Sequence, residues 1–220
     1  MTDHPVSYLI DRPAAHTASV GTLILAHGAG APMDSEFMTA IVEQLANAGL
    51  TVVRVEFPYM KQRRFTGKKR PPDRQSVLLD CWREVYAHCC HRKDLPAPIL
   101  IGGKSMGGRM ASMVADELRV AGLCCIGYPF HAPGKPEQMR VDHLLTMTTP
   151  ALIYQGTRDP FGKPDELAAI ALSSAVTIHW LEDGNHDLKP RRASGLDQSE
   201  HLAAVARSVL TFACGCLEEG

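Results

Sequence analysis

No stretch of this chain approaches the roughly 20 consecutive apolar residues that span a bilayer. A transmembrane helix is therefore not expected. Net charge is also missing: the formal total is −1, which excludes a global field drawing the protein to nucleic acid or an anionic membrane. The opening MTDHPVSYLIDRP has an early acid and no continuous apolar core, so no secretory leader is expected. Internal repeats and low-complexity tracts are absent. A disulfide framework is a poor fit, because the seven cysteines are odd in number and include the adjacent pairs Cys89-Cys90 and Cys124-Cys125. Reduced thiols in a cytoplasmic protein are the expectation. The run His88-Cys89-Cys90-His91 is too crowded for zinc spacing. No metal and no cofactor are expected.

What is present is ordinary globular material. Hydrophobic residues make up 45% and charged residues 21% of 220 residues, enough for one domain, with its core over about 20–214. Short apolar runs alternate with helical periodicities. Strands are expected at 22–26, 51–55, 98–101, 123–126, 151–155 and 176–181. Helices are expected through Phe37, Ile41, Leu45 and Ala48, with Asp34 or Ser35 as cap and Gly49 as stop, and through Leu78, Cys81, Trp82, Val85 and Cys89. Further helices are expected from Met106 to Leu118, after Pro164, and through Leu202, Val205, Ala206, Val209 and Leu210. Asp197 and Glu200 are spaced like a capping box. Near-continuously apolar strands alternating with helices imply an α/β fold, a mostly parallel sheet with both faces covered. Connections are short, so no large cap domain is expected. The segment Lys61 to Arg74 holds seven basic residues and one acid and is expected to be an exposed loop.

The stretch Gly102-Gly103-Lys104-Ser105-Met106-Gly107-Gly108 sets one hydroxyl among four glycines, after a strand and before a helix. Gly103 to Gly107 fits G-x-S-x-G in the context that motif requires. Side chains two residues before and after the serine would collide with so sharp a turn. The GKS it contains is not a phosphate-binding loop, which needs a glycine where Pro98 stands.

A serine hydroxyl needs a base, and the base an orienting acid. Such groups gather past the carboxyl ends of parallel strands. Asp159 follows the strand 151–155 and His186 follows 176–181, giving the chain order Ser, Asp, His used with this motif. Position favours His186 over His179 and His201, and Asp159 over Asp165, Asp183 and Asp187. The glycine-rich turn His27-Gly28-Ala29-Gly30 follows another strand. There the Ala29 N–H can join the Met106 N–H as an oxyanion hole, with His27 in a structural role.

The motifs LAHGAG, RVEFPYM, IGGKSMGGRM, GYPFHAPGKPE, YQGTRDPFG and GNHDLKP resemble the α/β-hydrolase superfamily over about residues 20 to 214. More narrowly they are similar to a capless, dienelactone-hydrolase-like branch, related to a domain in a subunit of the NSL histone-acetyltransferase complex. The resemblance implies Ser105, Asp159 and His186 as a triad and Ala29 and Met106 as oxyanion donors. Dienelactone hydrolases typically use a cysteine nucleophile, so serine here points to general ester chemistry.

The expected activity is hydrolysis of a small acyl ester or thioester through an acyl-enzyme on Ser105, with a small-molecule ester as partner. The alternative is a non-catalytic interaction module on the same fold. His131, past the strand 123–126, and Arg63 and Arg64, in the basic segment, are the candidate substrate contacts.

Overall fold

The computed structural model describes residues 7–218. The first six residues, where part of the leader reading rests, lie outside it. Fourteen helices and strands follow in order: β1 (Ser7–Asp11), β2 (Thr22–Ala26), α1 (Glu36–Ala48), β3 (Thr51–Glu56), α2 (Pro58–Thr66), α3 (Gln75–Cys90), β4 (Ile99–Lys104), α4 (Met106–Ser112), α5 (Ala115–Leu118), β5 (Leu123–Ile126), β6 (Ala151–Gly156), α6 (Pro164–Leu167), β7 (Val176–Leu181) and α7 (Gln198–Glu218).

The strands form one sheet in the order β1-β3-β2-β4-β5-β6-β7. β1 is antiparallel to β3, and every other pairing is parallel. This is the α/β-hydrolase fold that the alternation of elements predicts. Alternate residues of each strand feed opposite faces. Ile24, Val53, Ile101 and Cys125 join α3 and α4 in one core, around Trp82. Leu23, Val52, Leu100 and Cys124 join α1 and α7 in the other. One hydrophobic layer on each face explains why the strands show no polar alternation.

Register sets the site. Ala26 pairs with Gly103, Lys104 with Ile126, and Ile126 with Tyr154. The chain therefore leaves β2, β4 and β5 at one edge, and His27, Ser105 and Gly127 are the first residues beyond it.

Four expectations need correction. β1 was not foreseen; it is a half-exposed edge strand, anchored where Arg54 grips Asp11 through two 2.8 Å bonds. Part of the basic segment is helix rather than loop: α2 begins with Pro58 at its first turn, buries Tyr59 and Met60, and ends at Gly67 with φ 67°. The remainder, 67–74, has no regular element. The helix expected from Met106 to Leu118 breaks at Met113 and Val114 into α4 and α5. Asp197 caps α7 by accepting from Ser199 N–H at 2.6 Å, but no reciprocal bond from Glu200 is made among the described residues.

Candidate active site

Ser105 sits in the turn between β4 and α4 with φ 51° and ψ −117°, a strained conformation for a residue with a side chain. Its N–H donates to the Ile126 carbonyl at 2.9 Å, and Arg109 N–H donates to its own carbonyl at 3.0 Å. These bonds pin the turn between β5 and the helix. The flanking glycines are required by close approach. A Cβ on Gly103 would lie 2.6 Å from the Gly107 carbonyl carbon, and one on Gly107 would lie 2.6 Å from the carbonyl oxygens of Ala26 and His27. The collisions expected from the motif are thus present in the coordinates.

Three distant residues meet here. Ser105 Oγ lies 2.9 Å from His186 Nε2, and His186 Nδ1 lies 2.8 Å from Asp159 Oδ2. Asp159 is fully buried. Its Oδ1 accepts from Phe161 N–H at 2.9 Å and its Oδ2 from the Gln155 amide at 2.9 Å. A carboxylate surrounded by donors leaves His186 Nδ1 as a further donor, so Nε2 is free to accept the serine proton. The Phe161 ring packs against the imidazole at 4.3 Å between centroids.

The rivals are occupied elsewhere. His179 stacks on Tyr154, and His201 Nδ1 lies 2.8 Å from the Leu188 carbonyl. Asp183 holds Arg158 and Arg191, and Asp187 pairs with Lys104. A second serine–histidine contact exists: Ser112 Oγ lies 2.8 Å from His143 Nε2. Ser112 is buried inside α4, and no carboxylate meets His143 Nδ1 among the described residues, so that pair lacks both an exposed hydroxyl and an orienting acid.

The turn after β2 is built to present backbone. His27 is buried; its Nδ1 donates to the Gly28 carbonyl at 2.6 Å, and its Nε2 accepts from Phe57 N–H at 3.1 Å. Burial holds its pKa below the usual histidine value, consistent with a neutral ring serving a structural role. The Tyr59 hydroxyl donates to the Ala29 carbonyl at 2.9 Å. Among the described residues, no turn, loop or cap bond takes up the N–H of Ala29 or Met106.

The candidate substrate contacts fare differently. His131 is corrected to a scaffold position: it is 1% exposed, its Nδ1 lies 2.8 Å from the Ala132 carbonyl and its Nε2 lies 3.1 Å from Glu166. Arg64 is engaged by Asp34 and by Glu56, the latter at 2.5 Å. Arg63 reaches toward the Gly30 carbonyl at 3.5 Å and lies beside the Ala29 turn.

Two residues that carry the geometry escaped the sequence reading. Gln155 bonds the Tyr128 backbone through both amide atoms while donating to Asp159. Lys104, the residue before Ser105, is buried, with its Nζ 3.2 Å from Asp187 and 5.4 Å from the centre of the Phe37 ring. The signal for both was a polar residue closing an apolar strand. No group of three or more His, Cys, Asp or Glu side chains among the described residues is placed to hold a metal ion.

Residues 19–214 match the family described as Alpha/beta hydrolase domain. Among solved structures, the chain is similar to an alpha-beta serine hydrolase homologue from Coxiella burnetii, with 21% identity, TM-score 0.71 and coverage of 93% of this chain and 91% of that one. It is similar to a serine hydrolase without lid from Xanthomonas campestris, with 20% identity, TM-score 0.72 and coverage of 95% and 90%. It is also similar to a dienelactone hydrolase from Anabaena variabilis, with 19% identity, TM-score 0.70 and coverage of 96% and 92%. No curated protein matches it.

Proposed function

The chain belongs to the alpha/beta hydrolase domain family, and from that membership we propose that it is a serine hydrolase cleaving small acyl esters or thioesters. The observation that carries the proposal is the contact of Ser105 Oγ with His186 Nε2 at 2.9 Å, in line with the His186–Asp159 bond at 2.8 Å.

In this reading His186 Nε2 takes the Ser105 proton as the oxygen attacks the acyl carbon. The carbonyl π electrons move to oxygen, and the N–H groups of Ala29 and Met106 stabilise that oxyanion, each by a few kcal/mol of barrier. Collapse expels the alcohol or thiol, protonated by His186, and leaves an acyl group on Ser105. Water then enters, His186 removes its proton, and the acid departs. Asp159 fixes the imidazole tautomer and stabilises the imidazolium without being protonated. Tyr59 and His27 hold the Ala29 turn, and Gln155 holds the acid.

A cytoplasmic location belongs to the same proposal and rests on the odd, adjacent cysteines. The narrower kinship with dienelactone-hydrolase-like proteins and the NSL-subunit domain rests on the shared motifs. The test is a panel of short-chain aryl esters and thioesters against wild type and Ser105→Ala. Hydrolysis by wild type and its loss in the variant are expected; equal turnover by both removes the proposal.

A further inference from the structure

α4 carries a charge that the proposed chemistry leaves unused. Arg109 lies four residues past Ser105, so the two share one side of the helix start. A helical side chain leans toward the N-terminus of its helix, which sends the Arg109 chain back toward the Ser105 end. Arg109 makes no ion pair and no side-chain hydrogen bond among the described residues, and its Nε is buried without a partner.

Arg140, in the segment after β5, is its neighbour. Arg140 N–H donates to the Phe130 carbonyl at 2.7 Å, and its carbonyl accepts from the Tyr128 hydroxyl at 3.1 Å. That segment is tied to α4. The Tyr128 hydroxyl lies 3.3 Å from His143 Nε2, Ser112 Oγ lies 2.8 Å from the same nitrogen, and Ser112 donates to the Arg109 carbonyl at 2.8 Å. Arg140 is also half-buried and also makes no ion pair among the described residues. Burial pulls the Arg109 pKa down; the two groups acting on it by charge are Tyr128 and Arg140, with no carboxylate among them.

The other half-buried arginines are compensated: Arg54 by Asp11, Arg92 by Asp94, Arg158 by Asp183. Two uncompensated guanidiniums side by side are costly, and a buried N–H without an acceptor requires an explanation. Arginine pairs suit planar anions, which they grip through parallel N–H bonds. We propose that Arg109 and Arg140 form an anion subsite beside Ser105, and that the natural substrate is an ester carrying its own carboxylate or phosphate. The subsite is distinct from the basic segment, where Arg64 is already neutralised by Glu56 and Asp34. The substrate assignment rests on the hydrolase reading; the subsite itself does not.

The test compares kcat/KM for an aryl hemisuccinate and an aryl butyrate with the same leaving group, using the full chain. Wild type is expected to favour the hemisuccinate, and Arg109→Gln and Arg140→Gln each to lower that preference about tenfold or more. The ratio is internal to each protein, so partial unfolding of a variant cancels. Equal losses on both esters, or no preference in wild type, overturn the subsite. Inhibition of butyrate hydrolysis by free succinate supports a carboxylate, and inhibition by inorganic phosphate a phosphate; inhibition by neither overturns it. Should wild type cleave neither ester and a fluorophosphonate leave Ser105 unmodified, the hydrolase reading fails and thermal denaturation decides the subsite. Succinate or phosphate then raises the Tm of wild type and not of Arg109→Gln if the subsite exists; no rise in wild type overturns it.

Discussion

Lys104 Nζ stands 3.2 Å from Asp187 Oδ1 and joins the residue just before Ser105 to the residue just after His186. The lysine is buried, while Asp187 is half exposed. A Cβ placed on Gly127 would lie 3.1 Å from Lys104 Nζ and 3.3 Å from His186 Cε1, so the ammonium and the imidazole share one small space. The pair acts as a clamp on the histidine loop. Lys104→Met and Asp187→Asn are each expected to lower kcat about tenfold to a hundredfold, with KM little changed, through loss of alignment. The double variant is expected to lose no more than either single one, since both break the same contact. Burial disfavours the Lys104 charge, so Lys104→Met leaves the Tm unchanged or raised. A parallel collapse of Tm and kcat would instead mark a purely structural lysine.

Gln155 makes its own prediction. Its amide holds Tyr128 N–H at 2.7 Å and Asp159 Oδ2 at 2.9 Å, both within the core. Gln155→Leu conserves volume but leaves a buried N–H and a carboxylate oxygen short of a partner. A loss of about 1–3 kcal/mol is expected in urea denaturation. The rate of fluorophosphonate labelling at Ser105 is expected to fall as well, because Asp159 loses one of its fixed donors.

Glycine positions separate cleanly. Gly103→Ala would force a Cβ to 2.6 Å from backbone, and a loss of at least about 1–3 kcal/mol, or failure to fold, is expected. Gly215→Ala, in α7 with nothing within 4 Å of its Cβ, is expected to stabilise by up to about 1 kcal/mol through helix propensity. Thermal melts of the two variants check the contrast.

Acid sensitivity follows from two buried rings. Burial holds the pKa of His27 and of His143 below the ordinary value of 6.5. Below pH 6.5 the unfolded chain takes up protons that the folded rings refuse, so stability falls as pH drops from 6.5 toward the folded pKa values. Above 6.5 these two groups contribute no slope. The Tm is expected to drop between pH 7 and 5.5, and a His27→Asn variant, whatever its absolute stability, to show a smaller drop over the same interval. An unchanged slope in that variant would exclude His27 as a source.

The fold was legible because buried parallel strands advertise themselves. Leu23 to Ala26, Val52 and Val53, and Leu123 to Ile126 are apolar on both faces, and each ends in a glycine, a histidine or an acid at the functional edge. The Ser105 turn was legible for a steric reason, since only glycine fits at 103 and 107. β1 was hidden because a half-exposed edge strand needs few apolar residues. α2 was hidden because its buried face is only Tyr59 and Met60, while its basic residues, and Phe65 at 93% exposure, look outward. His131 was misplaced because position past a strand says nothing of which way a ring turns; here it turns inward to Glu166. Lys104, Gln155 and the Arg109–Arg140 neighbourhood depend on contacts between residues far apart in the chain, which no local pattern records.

The most direct test of the central claim is peptide mapping after reaction with a fluorophosphonate. A single adduct on Ser105 is expected, lost when His186 is replaced by Ala and absent in Ser105→Ala. An adduct on Ser112, or no adduct on the folded wild-type protein, would contradict the assignment of Ser105 as the nucleophile.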